Sequence, residues 1–312
     1  GYCSGDECGE QDCGECPPPE QKEFYIHPTC QGASMTTGQT YELGVNCYTS
    51  LSDWETSFGG IDFGVCVQGD LVCANKYSVT RIEGQWEHPD PHSVTIDGWT
   101  TDEEHYIKIF TTPEARHKGQ WDEKAYRLEA EDRMALNIAK GHVTIQGLQI
   151  ALTGTTPGRH GIYAEPILQN VEISHNIIKD QGQASGARYG IWFKSSENKN
   201  IRIFNNLVYG FTGNNQGAGM NIMAQDGEAR VFNNTIVNSS YGIITSHEDV
   251  IAKNNLVQKC RDGFVNTFHP DSSHNLSDIL GDAPGKHSQQ DAEVPFLDWE
   301  KADFHLDPAD YE

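Results

Sequence analysis

The chain has 312 residues, enough for one or two domains, and its 45 acidic against 22 basic residues give a formal net charge of −23. This charge excludes nucleic acid as a partner, because binding to phosphates requires clustered cations. It also disfavours direct contact with anionic lipid or polyuronate, unless divalent cations bridge the two negative partners. No apolar run approaches the roughly 20 residues of a membrane span, so no such span is expected.

The N-terminal part is rich in cysteine. Residues 1–20 form a Cys-, Gly- and Glu-rich tail that ends in the stiff spacer Pro17–Pro19. Because the chain opens at Gly1 without an apolar signal-peptide core, we expect a mature protein whose signal peptide has been removed, located extracellularly or at the cell surface. Eight cysteines are expected to form up to four disulfides in an oxidising compartment: Cys3, Cys8, Cys13, Cys16, Cys30, Cys47, Cys66 and Cys73.

The pairing of these cysteines stays open. A metal site at Cys13 and Cys16 is the alternative, but no second Cys-x-x-Cys motif accompanies them. Cys260 stands alone and is expected to be a small buried hydrophobic residue, with an intermolecular disulfide as the alternative.

Residues 21–90 predict a disulfide-braced N-terminal cap. Short strands are expected at Glu23–Ile26 and Ser78–Ile82, and a helix over residues 48–58. Because the end of a solenoid exposes both a sheet edge and an apolar cross-section, we expect this helix to cover it.

Residues 91–268 contain a repeated pattern, which is clearest between Val143 and Thr267. Five copies of one phrase align on a corner residue with spacings of 28, 30, 28 and 21 residues; the corner residues are Leu148, Asn176, Asn206, Asn234 and Asn255. A second short sequence motif repeats with the same period and starts at Gly161, Gly190, Gly219, Gly242 and Gly263. Two strand-like phrases per period of about 20–30 residues predict a β-solenoid, and the corner asparagines predict a buried ladder of amide hydrogen bonds.

This pattern resembles the right-handed parallel β-helix superfamily, the pectate-lyase-like fold. Tyr48–Glu55 is similar to the entry helix of secreted bacterial members, and Asp303–Leu306 is similar to their closing segment. The resemblance implies an all-β chain: a right-handed parallel β-helix over 91–268 and a C-terminal closing segment over 269–312. The superfamily contains lyases, hydrolases, epimerases, tail spikes and adhesins, so the fold alone implies no activity.

Outward-facing positions are more apolar and aromatic than a solvated surface requires, which indicates contact with something. Three coverings are open: the loops of the chain itself, a second copy, or a carbohydrate that stacks on aromatic rings. The candidate binding residues are Tyr163, Trp192, Lys194, Arg202, Phe204, Arg230 and Phe232.

The sequence does not decide whether the protein is an enzyme, and it favours a role without catalysis. Lyases of the superfamily need an Arg or Lys base and calcium-binding carboxylates, and hydrolases need paired carboxylates. In the regular repeat only Glu172, beside Arg202, and Glu165, beside Lys194, are outward carboxylates next to another repeat, and each is more simply an ion pair. Catalytic residues and metal ligands therefore stay unknown, and no cofactor is expected except calcium.

These observations predict an extracellular structural or adhesive protein. We expect it to self-assemble into a filament or surface layer through its N-terminal segment and to contact glycans. One alternative is a polysaccharide lyase or glycoside hydrolase with a groove near Arg202, Arg230 and Lys194. The second alternative is a carbohydrate-binding protein without catalysis.

Overall fold

A computed structural model describes residues 17–131, 134–182, 186–195, 197–224, 229–246 and 248–307. The four tail cysteines Cys3, Cys8, Cys13 and Cys16 lie outside these residues. In the described part, the chain winds through three long parallel sheets, called here the first, second and third sheets in the order in which each coil visits them.

The strands of the first sheet, in spatial order, are Cys47–Tyr48, Glu20–Ile26, Lys76–Ile82, Ile107–Thr111, Val143–Gln146, Gln169–Ser174, Lys199–Phe204, Ala229–Phe232 and Val250–Lys253. Those of the second sheet are Arg127–Ala130, Gln149–Leu152, Ile177–Asp180, Leu207–Tyr209, Thr235–Val237, Leu256–Gln258 and Leu276–Ser277. Those of the third sheet are Val94–Ile96, Leu136–Ile138, His160–Ala164, Tyr189–Phe193, Ala218–Ile222, Tyr241–Thr245 and Asp262–Val265.

The predicted parallel β-helix is confirmed. Each strand pairs in parallel with its counterpart one coil away, as when Val171 pairs with both Val143 and Ile201. Alternate side chains point inward and stack in columns, so Ile173 and Ile203 are fully buried beside each other. Ser174 faces outward by this alternation but is buried where it pairs with the larger Phe204 on the next coil.

The expected asparagine ladder closes the corner between the first and second sheets. Each ladder side chain accepts a hydrogen bond from the backbone N–H of the preceding ladder residue, as in Asn176 N to Asn206 Oδ1 at 3.0 Å. Asn275 continues the ladder beyond the five repeats and is fully buried. Because every amide finds partners on adjacent coils, the corner can be both buried and polar without an unpaired donor.

The first sheet begins earlier in the chain than the expected boundary at residue 91. The two predicted strands of the cap are present as Glu20–Ile26 and Lys76–Ile82, and they pair with each other in parallel within this sheet. Two disulfides brace the same region, Cys30–Cys47 and Cys66–Cys73.

The predicted helix of the cap is present as Leu51–Thr56. Its N-terminus is capped by Ser50, whose side chain accepts a hydrogen bond from Asp53 N–H. Leu51 and Trp54, three residues apart, form its buried face, and Trp54 stacks on Trp99 with ring centroids 5.8 Å apart. A second, shorter helix spans Leu71–Ala74, and 3-10 turns lie at Phe58–Gly60, Gly213–Asn215 and Trp299–Lys301. None of the described helices is long and apolar enough to cross a membrane.

The outward face of the second sheet is covered by the chain itself. The antiparallel hairpin Phe296–Asp298 and Asp303–Leu306 packs there, with the Phe304 ring 5.0 Å from that of Tyr209. The loop before Arg127 covers earlier coils, and its Trp121 ring lies 3.4 Å from Lys179 Nζ.

Candidate binding site

Five of the seven predicted binding residues lie on two neighbouring coils, which we call the two-coil band and define as residues 160–172, 189–195 and 197–204. Along each coil the chain runs from an aromatic residue on the third sheet, through a charged residue, to the first sheet. Tyr163 pairs with Trp192 in the third sheet, and Glu172 pairs with Arg202 in the first. The band therefore continues around the corner that joins these two sheets.

The third-sheet part of the band is an aromatic cluster. The Trp192 ring lies 5.2 Å from that of Tyr163 and 5.1 Å from that of Tyr189. The imidazole of His160 lies at the centre, 4.6 Å from the Trp192 ring and stacked on Tyr189 at 5.1 Å. Its Nδ1 accepts the backbone N–H of Tyr189 at 3.1 Å, which holds the ring in place.

Burial, together with two nearby positive charges, keeps His160 neutral. Burial first, and then the positive charges of Arg188 and Arg159, lower the pKa of His160 to about 3. Arg188 is itself fully buried and lies 3.3 Å from Asp180, whose pKa is raised by burial to about 6. This buried pair supports the aromatic cluster from the corner between the second and third sheets.

One outward row of the third sheet carries polar atoms without partners. The row places Asn137, Tyr163, Trp192 and Asn221 side by side on four successive coils. Asn137 Oδ1, Trp192 Nε1 and Asn221 Oδ1 are buried and have no hydrogen-bond partner among the described residues. Native proteins leave few such groups unpaired, so partners from water or a ligand are expected along this row.

An exposed ion pair borders the aromatic cluster. Lys194 Nζ contacts both carboxylate oxygens of Glu165, at 2.9 and 3.1 Å, and the hydroxyl of Tyr163 donates to the same carboxylate. Hydrogen bonds from Tyr163 and Lys194 lower the pKa of Glu165, and the bond to Glu165 raises that of Lys194. The pKa of Tyr163 is raised, chiefly by burial. The ion pair predicted for Glu165 is thus confirmed.

The corner between the third and first sheets carries two shallow grooves that share His142. The one nearer the third sheet has a volume of about 430 Å³, and its lining includes the exposed apolar side chain of Ile167 together with Glu197 and Lys199. The other, of about 440 Å³, is lined by Tyr106, Asn170, Asn200 and Arg202. Both volumes fall in the range of ligand sites, about 300–1,000 Å³.

On the first sheet, Arg202 forms the second predicted ion pair, 3.2 Å from Glu172. Phe204 lies two residues further along and packs edge-on against the His175 ring at 5.7 Å. Arg230 and Phe232 are on the next coil, paired with Arg202 and Phe204, and therefore extend this face beyond the band. Lys194 follows a strand of the third sheet, so the structure does not place it on the same sheet as the two arginines.

Three titratable groups of the band have pKa values that their surroundings shift, His160, Glu165 and Lys194. General acid–base catalysis works best when the pKa of the catalytic group lies near the working pH. In the band, the pKa of His160 falls to about 3, that of Lys194 is raised and that of Glu165 is lowered. All three shifts lead away from neutral pH.

Some residues of this site were not among the sequence candidates. His160 and Tyr189 come directly before the repeated glycines Gly161 and Gly190 and so occupy equivalent positions in consecutive repeats. This equivalence already indicated that their rings would lie side by side. Tyr106 could not be assigned, because it precedes the regular repeat and only the parallel pairing of Ile107 with Val143 brings it to the corner.

The parallel sheets and the repeat define the class of the protein: the chain has the fold of the right-handed parallel β-helix superfamily. Residues 143–276 match the family model described as "Periplasmic copper-binding protein (NosD)", a stretch shorter than half of the chain. The chain is similar to that family across its regular coils. Searches of curated proteins and of solved structures found no match.

Proposed function

We propose that this protein is a β-helix of an oxidising, extracytoplasmic compartment with an adhesive role, and that it binds a glycan along the two-coil band without catalysis. The two disulfides of the cap support the compartment. The observation that carries the glycan proposal is the half-buried Trp192, which lies on an aromatic cluster and borders the exposed pair Glu165–Lys194.

The chemistry of the band matches that of a sugar chain. The C–H face of a pyranose packs on an aromatic ring, while its hydroxyls need donors and acceptors at the ring edge. Trp192 supplies the flat surface, and Glu165 and Lys194 supply the polar edge. The grooves at the corner adjoin this surface and reach onto the preceding coils at His142 and Tyr106, which suits an extended chain rather than a small compact ligand.

The charge of the band favours a neutral glycan. Three cations, Lys194, Lys199 and Arg202, stand against three carboxylates, Glu165, Glu172 and Glu197. The band is therefore close to neutral in a chain whose formal net charge is −23. A polyanion would still meet the negative field of the remaining surface.

A glycan array with the full chain tests this proposal. Trp192→Ala should weaken binding to the best glycan by about tenfold or more, the effect of losing an aromatic contact of about 1.4 kcal/mol or more. Trp299→Ala is the matched control, because Trp299 is an exposed tryptophan on the C-terminal hairpin, away from the band. The Glu165→Gln and Lys194→Met variants change exposed side chains and address binding even if Trp192→Ala folds poorly.

Absence of glycan binding by the wild type, or equal binding by wild type, Glu165→Gln and Lys194→Met, would sink the proposal. Release of shortened or unsaturated sugar products, with or without calcium, would instead favour the lyase or hydrolase alternative.

Self-association is a second candidate, favoured by exposed apolar residues in the cap. Val65 is 90% exposed, Val67 77% and Leu43 68%, all in the disulfide-braced region near the N-terminal end of the solenoid. Contiguous exposed apolar patches mark contact surfaces, and Val65 and Val67 are two residues apart in the chain. A second copy of the chain is the proposed partner.

Sedimentation velocity tests this second candidate. A Val65→Ser, Val67→Ser double variant should shift the population to a smaller species, whereas Leu280→Ser should not, although Leu280 is 79% exposed near the C-terminal end. A monomeric wild type at high concentration would rule out self-association through this surface.

Copper binding, which the description of the matching family carries, has weaker support as a main function. Among the described residues, no three His, Cys, Asp or Glu side chains are grouped so that they could hold a metal ion together. The thiol of Cys260 is half-buried, and burial raises its pKa to about 12, which disfavours the thiolate that copper prefers. The described residues therefore do not fit an enclosed copper centre.

A further inference from the structure

A column of aromatic and polar side chains, called here the corner column, lies where the third sheet leads into the first. The parallel register of the first sheet aligns Ile107, Val143, Val171 and Ile201 on four successive coils. The residues directly before them form the corner column: Tyr106, His142, Asn170 and Asn200. Because all four line the groove of about 440 Å³, that groove runs along the solenoid across four coils.

Tyr106 forms an aromatic platform at one end of the corner column. Its ring is stacked on that of Tyr77, one coil earlier, with the centroids 4.9 Å apart and the planes inclined by 27°. The hydroxyl of Tyr77 donates to Oε1 of Gln21 at 2.7 Å, which anchors the pair to the first strand of the chain. Tyr106 itself is half-buried and lines the groove. A half-buried ring that a second ring supports is a rigid surface on which the C–H face of a sugar can pack.

Side-chain contacts between coils fix the rest of the corner column. Nδ2 of Asn170 lies 3.2 Å from Nδ1 of His142, and Nδ2 of Asn200 donates to Oδ1 of Asn170. All three residues have a left-handed backbone, with φ of 54° at Asn170, 55° at His142 and 48° at Asn200. Burial lowers the pKa of His142, so its imidazole is uncharged at neutral pH. The column therefore presents uncharged donors and acceptors in fixed positions, which match the hydroxyl groups of a sugar.

The charges that line the two corner grooves are balanced. The groove of about 440 Å³ contains one carboxylate and one guanidinium, those of Glu103 and Arg202. The groove of about 430 Å³ contains the carboxylate of Glu197 and the ammonium of Lys199. Neither groove therefore favours a strongly charged ligand. A neutral chain rich in hydroxyl groups fits both the charge and the polar groups of this corner.

We propose that the corner column is a second sugar-contacting region, and that the glycan is a neutral oligosaccharide that runs along it from the coil of Trp192 to the platform of Tyr106. This inference rests on the proposed glycan site at Trp192 and adds the size of its ligand. Asn200 lies on the coil of Trp192, three coils from Tyr106. Adjacent strands are about 4.8 Å apart, so these three steps cover about 14 Å. One sugar ring cannot contact both platforms, whereas a chain of several sugars can.

The dependence of affinity on chain length tests this inference. The probes are cello-, xylo-, manno- and chito-oligosaccharides, each from the monosaccharide to the hexasaccharide, titrated calorimetrically into the full chain. In the best series, the wild type should bind the hexasaccharide at least about tenfold more tightly than the shortest member that binds measurably. Tyr106→Ala should remove this gain and leave the affinity for the shortest member within about twofold. Trp192→Ala should weaken the binding of both.

Matched variants separate a sugar contact from a change in structure. Tyr106→Phe keeps the ring and should bind like the wild type. Asn170→Gly keeps the left-handed backbone but removes the amide, so it should weaken the binding of the hexasaccharide by about fivefold. Asn205→Gly is the same substitution at a left-handed residue of the ladder corner and should bind like the wild type. The Asn170→Gly variant addresses the inference even if Tyr106→Ala folds poorly.

The inference is overturned, and the proposed function is kept, if Trp192→Ala weakens binding while Asn170→Gly and the folded Tyr106→Ala bind the hexasaccharide as the wild type does. A wild-type affinity that does not rise with chain length would also overturn it. If the wild type binds none of these neutral oligosaccharides, this inference fails, and the proposed function is then decided by the glycan array alone.

Discussion

The side-chain amide of Asn206 donates a hydrogen bond to Oδ1 of Asn234 across 3.0 Å, which links two residues 28 positions apart at the same corner of consecutive coils. The amide also donates to the carbonyl of Ile173, and its Oδ1 accepts from the backbone of Asn176. One buried side chain therefore satisfies groups on three coils.

Asn206→Ala should lower the free energy of unfolding by about 2–4 kcal/mol, because it leaves several buried donors and acceptors unpaired. Asn205→Gly, one residue earlier, should change it little, since Asn205 is exposed and glycine tolerates its left-handed backbone. Urea denaturation of the two variants measures the difference. Equal losses would show that the ladder is not the source of the stability.

The repeated glycines of the third sheet predict a second effect. A Cβ added at Gly242 would overlap the carbonyl oxygen of Gly263 and Cγ1 of Val257. Gly242→Ala should therefore lower the free energy of unfolding by about 3 kcal/mol. At Gly281 the space is open and only the positive φ of 79° opposes a side chain, so Gly281→Ala should cost about 1 kcal/mol. Thermal unfolding ranks the two variants, and the reverse order would contradict close packing at the glycine column.

His160 should make the fold sensitive to acid. Its folded pKa of about 3 lies below the ordinary value of 6.5, so its contribution to stability is present above pH 6.5 and is lost as the pH falls towards 3. When the pH falls from 7 to about 4.5, the free energy of unfolding of the wild type should decrease by about 2–3 kcal/mol more than that of His160→Phe. Phenylalanine keeps a ring at this position but cannot titrate. Denaturant melts at both pH values measure this, and an identical pH dependence in both proteins would contradict it.

Glu83 holds the disulfide-braced loop of the cap to the first sheet. Its buried carboxylate accepts hydrogen bonds from the Tyr41 hydroxyl at 2.6 Å and the Ser34 hydroxyl at 3.0 Å. Glu83→Gln replaces one acceptor oxygen by a donor and should lower the free energy of unfolding by about 2–3 kcal/mol. Limited proteolysis should then cut faster near residues 31–46, whereas the exposed Glu87→Gln should behave like the wild type.

The regular coils could be predicted from the sequence because their contacts are periodic. The spacing of Asn176, Asn206 and Asn234 identifies both the corner and the coil length, and the same alignment brings Glu172 to Arg202. The expected helix and two strands of the cap also follow from local patterns.

The remaining parts depend on pairing between distant segments, which no local pattern specifies. Glu20–Ile26 pairs with Lys76–Ile82 across an irregular stretch, so the early start of the first sheet was not visible. The covering of the second sheet by Phe304 and Trp121 is equally non-local. The roles of Tyr163, Trp192 and the other binding candidates stay predictions.

The shortness of the strand Cys47–Tyr48 has a consequence for how copies of this protein can meet. It forms the outer edge of the nine-stranded first sheet, and the disulfide from Cys47 to Cys30 pins it. Two residues offer too few free backbone groups to template the addition of a strand from another molecule. An oligomer that formed on this two-residue strand would therefore rest on side-chain contacts. It should dissolve in mild detergent and should not bind the dyes that report cross-β fibrils.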